Sequence, residues 1–175
     1  MSTELEVEWH RLLFGVRRSI RYHQKRIAFY SFCNTITNVL VLICSSAAFS
    51  LLLANRQDKI SMYCSLFVTI ITTVELIIGT TRKSVLHESL KRRFINLEQE
   101  IMNTEETKTK QKYTKFYKER LFIETDEPPP LRVLDAICHN ELMRSMGYDK
   151  SGLATIKWYQ RLFSQFIDIK SHAIE

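Results

Sequence analysis

One carboxylate, Glu75, stands inside the otherwise uncharged stretch ISMYCSLFVTIITTVELIIGTT (60–81), just before Arg82 and Lys83. An acid in apolar surroundings needs a cation, water or its own proton. Arg82 shares its helical face but lies two turns away, on the order of 10 Å. Lys25 and Arg26, or a neighbouring copy of the chain, are therefore candidate partners beside Arg82. An ionised Glu75 held this way could set assembly or gating, whereas a protonated one would only pack, and the residues leave both readings open. A second group, Lys108, Lys112, Lys115 and Lys118, alternates with Tyr113, Phe116 and Tyr117. Cations among aromatics can hold phosphate and stack a base, but a solvated helix with a few core aromatics is the simpler reading, and direct nucleic-acid binding is not expected. A third group is Cys138, His139 and Glu141. Adjacent helical residues diverge by about 100°, so a facing thiol–imidazole pair is not expected. With no glycine-rich phosphate loop, spaced metal-ligand set or serine elbow, the chain is expected to be no enzyme and to use no cofactor.

The elements that position these residues follow from hydropathy. Residues 27–54 contain no charged side chain, and 60–81 contain only Glu75. Both runs exceed the roughly 20 residues needed to cross a hydrocarbon layer of about 30 Å, so two transmembrane helices are predicted. The first is too long for the h-region of a cleaved signal, and a second run follows at once. The five residues NRQDK (55–59) make a tight extracytoplasmic loop of an antiparallel hairpin. Arg11, Arg17, Arg18, Arg21, Lys25 and Arg26 precede the hairpin, and Arg82, Lys83, Lys91, Arg92 and Arg93 follow it; the loop has only Arg56 and Lys59. This bias places both termini in the cytoplasm. It also accounts for most of the net charge of +6, which suits anionic headgroups. The four cysteines, Cys33, Cys44, Cys64 and Cys138, lack paired spacing and are expected to be free thiols.

In the first span Asn34, Asn38 and Ser45 share a face, as do Ser65, Thr72, Glu75 and Gly79 in the second. These stripes suit close helix packing or, with several hairpins assembled, a water-lined path. Outside the spans, Leu5, Trp9, Leu12, Val16, Ile20 and Ile27 form a helical stripe, and a continuous helix into the membrane is favoured over a bend near Gln24. Leu86, Leu90, Phe94, Leu97 and Ile101 extend the second span into a helix of some 45 residues, to about Thr104. After the rigid turn at DEPPP, a helix is predicted over 131–146, ended by Gly147. A last amphipathic helix is predicted over roughly 153–169, its stripe covered by the cytosolic ends of the long helices or by a second protomer. The predicted fold is thus an all-α membrane protein: a two-helix transmembrane hairpin with long cytosolic helical extensions and a C-terminal helical pair. Its parts are a basic amphipathic helix (1–26), spans at 27–54 and 60–81 around the 55–59 loop, an extension (82–106) and C-terminal cytosolic helices (107–175).

The order of these features resembles the SLATT family of bacterial two-transmembrane effectors. The similar elements are the basic WHRLLFGVRRSIRYHQKRIAFY segment, the Glu75-Leu76 pair with Gly79, the run from His87 through Leu90, Phe94 and Leu97 to Glu100 and Ile101, and EPPP leading into LDAICHNE. The likeness covers nearly the whole chain and lies in the ordered set, not in any single motif. It implies an effector of a prophage or antiviral conflict system that damages the bacterial inner membrane, as a homo-oligomeric pore. It also implies triggering by an operon-encoded partner such as a cyclic-oligonucleotide synthase or a reverse transcriptase. The family's acidic residue in the second span is more usually aspartate, so Glu75 departs from that pattern. A reading from a different class stays open: a membrane-anchored module that recruits a soluble partner without conducting.

Overall fold

A computed structural model describes residues 3–53, 59–104 and 108–169. Most of the expected 55–59 loop, the end of the 82–106 extension and the last six residues of the C-terminal part lie outside the described residues. The fold is all-helical, with no strand among the described residues. Six α-helices follow in order: α1 (Thr3–Leu53), α2 (Lys59–Ile78), α3 (Thr80–Asn103), α4 (Lys110–Glu124), α5 (Arg132–Ser145) and α6 (Trp158–Phe163), with a 3-10 turn at Lys150–Gly152 before α6. Two helical stretches, 4–50 and 59–103, are long and apolar enough to cross a membrane. The chain divides into two compact units, residues 1–26 with 87–175, and residues 27–86.

The first unit has a conventional protein core. Trp9, Leu12 and Val16 of α1 meet Leu90, Phe94, Leu97 and Ile101 of α3 and Phe116 and Ile123 of α4. Spacings of three and four on α1 and α3, and of seven on α4, place each set on one face of its helix, and burying each such side chain contributes about 1.5–3 kcal/mol. The apolar face of α3 starts later than its sequence pattern implies. Leu86 is exposed and, after Thr80 at the helix start, His87 is the next buried residue, because a periodic stripe does not say how far its neighbours cover it.

Local signals explain the ends of the shorter helices. Thr109 caps α4 by accepting the Lys112 N–H at 3.3 Å. The prolines 128–130 then keep α4 from continuing into α5. At the start of α5 Leu131 offers no side-chain cap; the Asp168 carboxylate serves instead, accepting the N–H groups of Arg132 at 2.9 Å and Val133 at 3.1 Å. Gly147, with φ of 74°, ends α5 as expected. The Tyr148 N–H reaches the Met143 carbonyl at 3.1 Å and the Gly147 N–H the Arg144 carbonyl at 3.2 Å, the paired bonds of a Schellman ending.

Two predicted elements need correction. The expected helix over 153–169 is only the short α6, preceded by extended chain at 153–157. The uninterrupted 45-residue helix is broken at Gly79, whose φ of 63° lies in the left-handed region. An isolated glycine in a helical pattern reads as tolerated; here it is used as a joint. By contrast α1 runs unbroken through Gln24.

The second unit has almost no interior. Among its described residues only Tyr30 and Thr80 are buried, and α2 has no buried residue. Half-buried positions recur at alternating steps of three and four: Asn34, Thr37, Val41, Cys44 and Ala48 on α1, and Ser61, Cys64, Val68, Ile71 and Glu75 on α2. That 3–4 rhythm is the pattern of a helix-packing seam.

Candidate functional site

Within the second unit, chemistry concentrates at the α2–α3 joint. Glu75 occupies the last turn of α2 and is half-buried. The Thr80 hydroxyl, buried at the start of α3, donates to the Glu75 carboxylate in a short hydrogen bond. Backbone bonding passes through the joint, from the Gly79 N–H to the Glu75 carbonyl at 2.8 Å and from the Lys83 N–H to the Gly79 carbonyl at 3.0 Å. A Cβ on Gly79 would meet only the Arg82 Cβ, at 3.9 Å, so backbone conformation and not space demands glycine there.

Two of the candidate cations have partners in the first unit. Lys25 pairs with Glu141 at 2.9 Å. Arg26 donates from Nη1 to the Gln165 carbonyl at 2.6 Å and to its side-chain oxygen at 3.2 Å, while Arg82 is exposed. The hydroxyl of Thr80 was not among the expected partners. It lies beyond the glycine, five residues from Glu75, and only the break brings it back to the carboxylate.

The polar stripes of the spans are open. Asn38, Ser45, Ser65 and Thr72 are exposed and Asn34 is half-buried. The hydroxyls are largely satisfied by their own helix: Ser65 donates to the Ser61 carbonyl at 3.0 Å and Thr72 to the Val68 carbonyl at 2.8 Å. The Asn34 and Asn38 amides make no hydrogen bond among the described residues. An amide without a partner would be costly in an apolar layer, where only water or another chain could satisfy it.

The first unit holds a polar cluster that spacing did not reveal. His23 and His87 are both buried, with Nδ1 atoms 2.9 Å apart, and His23 Nε2 lies 3.2 Å from the Glu127 carboxylate. One Nδ1 must carry the proton that the other accepts, so the contact survives with one imidazolium at most. Phe94 stacks on His23 with centroids 5.6 Å apart, and Tyr22 OH accepts the Leu131 N–H at 3.0 Å. The available signal was placement: His23 is seven residues past Val16 and His87 three before Leu90, both on core-facing stripes.

The other sequence candidates are dispersed. Cys138 is buried, and burial pushes its thiol up to about 12. Its neighbour His139 meets the Phe14 ring edge-on, while Glu141 turns to Lys25. On α4, Phe116 is core and Tyr113 packs against Trp9, with Tyr117 stacked on Tyr113. Lys115 faces Glu100 at 4.0 Å and Lys118 is exposed. Lys110 donates to Glu8 at 2.6 Å, which raises its pKa. Lys108 and Lys112 are half-buried. The described cysteines are free thiols, and no metal-binding group occurs among the described residues.

No family model, curated protein or solved structure matches this chain.

Proposed function

We propose that the protein is a membrane-permeabilising effector whose two spans form a hairpin in the bacterial inner membrane, with both termini cytoplasmic, and assemble with other copies around a water-lined path. The observation that carries this reading is the pair of asparagine amides inside an uncharged run with no hydrogen-bond partner among the described residues. Lipid cannot satisfy them; water or another protomer can. Glu75, on the polar side of the second span, supplies the ionisable group at the cytoplasmic mouth, and Gly79 with Thr80 supplies the joint that fixes it. The sensor, in line with the resemblance, is a separate polypeptide acting on the cytosolic helices.

Expression of the full chain with a membrane-potential dye tests this. Depolarisation and growth arrest are expected, reduced by Asn38→Leu and altered by Glu75→Gln, with Glu75→Asp close to the parent. Arg82 and Arg26 charge reversals in a double-mutant cycle with Glu75 identify the cation that acts on it. An inserted, well-expressed chain that leaves the potential intact and captures a specific soluble protein would replace this reading with the recruitment module.

A further inference from the structure

The segment around α6 has its amphipathic character inverted. Gln160 and Ser164 are buried, at 3% and 4% exposure, while Trp158, Leu162 and Ile167 are 77%, 62% and 56% exposed. The polar side is satisfied within the segment and at the start of α5. Gln160 Nε2 donates to the Ile169 carbonyl at 3.1 Å, its Oε1 accepts the Lys157 N–H at 2.9 Å, and Asp168 caps α5. Of the sequence stripe expected to be covered by the long helices or a second protomer, Leu162, Phe163 and Phe166 face outward, while Ile156, Tyr159 and Ile169 are half-buried. A segment fixed polar side in is poorly solvated by water on its other side.

Its location says which solvent it meets. Arg26 Nη1 holds the Gln165 carbonyl at 2.6 Å, and Arg26 directly precedes Ile27, the first residue of the uncharged run. If that run enters the hydrocarbon, Arg26 lies at its edge. The headgroup layer is only about 5–8 Å thick on each side, comparable to the roughly 9 Å length of a six-residue helix. A segment tied to Arg26 therefore lies at headgroup depth. Tryptophan with large aliphatic residues is the composition enriched there, and exposed Lys157 and Arg161 suit anionic lipid.

We infer that residues 158–167 are an interfacial anchor, with Trp158, Leu162 and Ile167 inserted among the headgroups of the cytoplasmic leaflet. The anchor rests on the two-span reading proposed above. It would couple the cytosolic unit to the bilayer surface, so that motion of α5 and α6 is felt at Arg26.

The test is depth-dependent fluorescence quenching of the full chain in phosphatidylcholine–phosphatidylglycerol vesicles. The chain has two tryptophans, and the other, Trp9, is buried in the protein core with an indole N–H that lacks a partner. Trp9→Phe isolates Trp158; independently, the quenching lost between the parent and Trp158→Phe gives the same quantity without touching the core. Stronger quenching by lipids spin-labelled near the headgroup than near the chain end, with weak quenching by aqueous iodide, is expected. Leu162→Glu with Ile167→Glu should abolish the lipid quenching. Strong iodide quenching without lipid quenching overturns the anchor, and so does shielding from both quenchers, which would assign the face to a second copy. Leu42→Trp in a chain lacking both native tryptophans should be quenched most by deep labels. Failure of that control overturns the two-span reading, and the anchor with it, separately from failure of Trp158 alone.

Discussion

Phe94 on α3 and Leu76 on α2 are both large apolar residues of long helices, yet the first is fully buried and the second is 83% exposed. The contrast holds across their units. Residues 1–26 with 87–175 bury Trp9, Leu12, Val16, Leu90, Phe94 and Leu97 against one another, whereas residues 27–86 bury only Tyr30 and Thr80 among those described. Both are helical, so backbone bonding does not separate them. The difference lies in what can solvate the side chains, and a helix exposing this many large apolar residues needs hydrocarbon or more protein.

The largest expected effect comes from matched truncations. Phe94→Ala should destabilise the first unit by about 3–5 kcal/mol. Cys138 reads this well, being buried and protonated with its pKa pushed up to about 12, so it reacts with thiol reagents only when the unit opens. In a chain with Cys33, Cys44 and Cys64 changed to alanine, Phe94→Ala should speed its labelling more than about 100-fold. Phe67→Ala, at an exposed position of α2, should leave the rate unchanged. Equal acceleration by both would break the contrast.

Charge insertion should reverse the ranking. Leu42→Asp, at an exposed position in the first span, should lower membrane insertion by about 2.5–3.5 kcal/mol, read as the fraction retained after alkaline extraction. Leu121→Asp, at an exposed position of α4, should change stability by less than about 0.5 kcal/mol.

Glycine substitutions sharpen the comparison because backbone strain does not depend on solvent. Gly79→Ala and Gly147→Ala each force a side chain into a left-handed conformation and should each lose about 1–2 kcal/mol. For Gly147 the readout is Cys138 labelling; for Gly79 it is faster amide exchange at position 79 and at Lys83.

The smallest effect concerns Asp135. Burial raises its carboxyl above the ordinary 3.8 against the pull of Arg18, 3.2 Å away. The folded chain then holds the proton more tightly than the unfolded chain. The stability this contributes is complete below the unfolded pKa and lost as pH rises through the folded value. Asp135→Asn, which imitates the protonated acid, should flatten that part of the stability profile, measured by denaturation from pH 3 to 7, matching the parent near pH 3 and slightly exceeding it at pH 7.

Much of this was legible in the sequence, because the deciding signals are local. Uncharged runs gave α1 and α2, the Leu90–Ile101 spacing gave the core face of α3, and proline and Gly147 bounded α5. The joint at Gly79 was hidden because one glycine barely changes helical periodicity. The helix α6 is shorter than its stripe implies because apolar residues at helical spacing also occur where the chain is extended, and spacing does not say which of them face outward. The His23, His87 and Glu127 cluster joins residues 64 and 104 positions apart, a proximity only tertiary packing creates. Glu75 was legible as an anomaly, but its hydroxyl partner depends on the unforeseen joint.

The most direct test of the central claim, that residues 27–86 are a lipid-solvated pair of spans carrying a cytosolic helical unit, is the sidedness of two reporter fusions. One follows Glu175 and one is inserted between Asn55 and Asp58. The account predicts a cytoplasmic signal from the first and an external signal from the second in the same cells. A cytoplasmic signal from the 55–58 insertion, with the chain intact and membrane-associated, would contradict it.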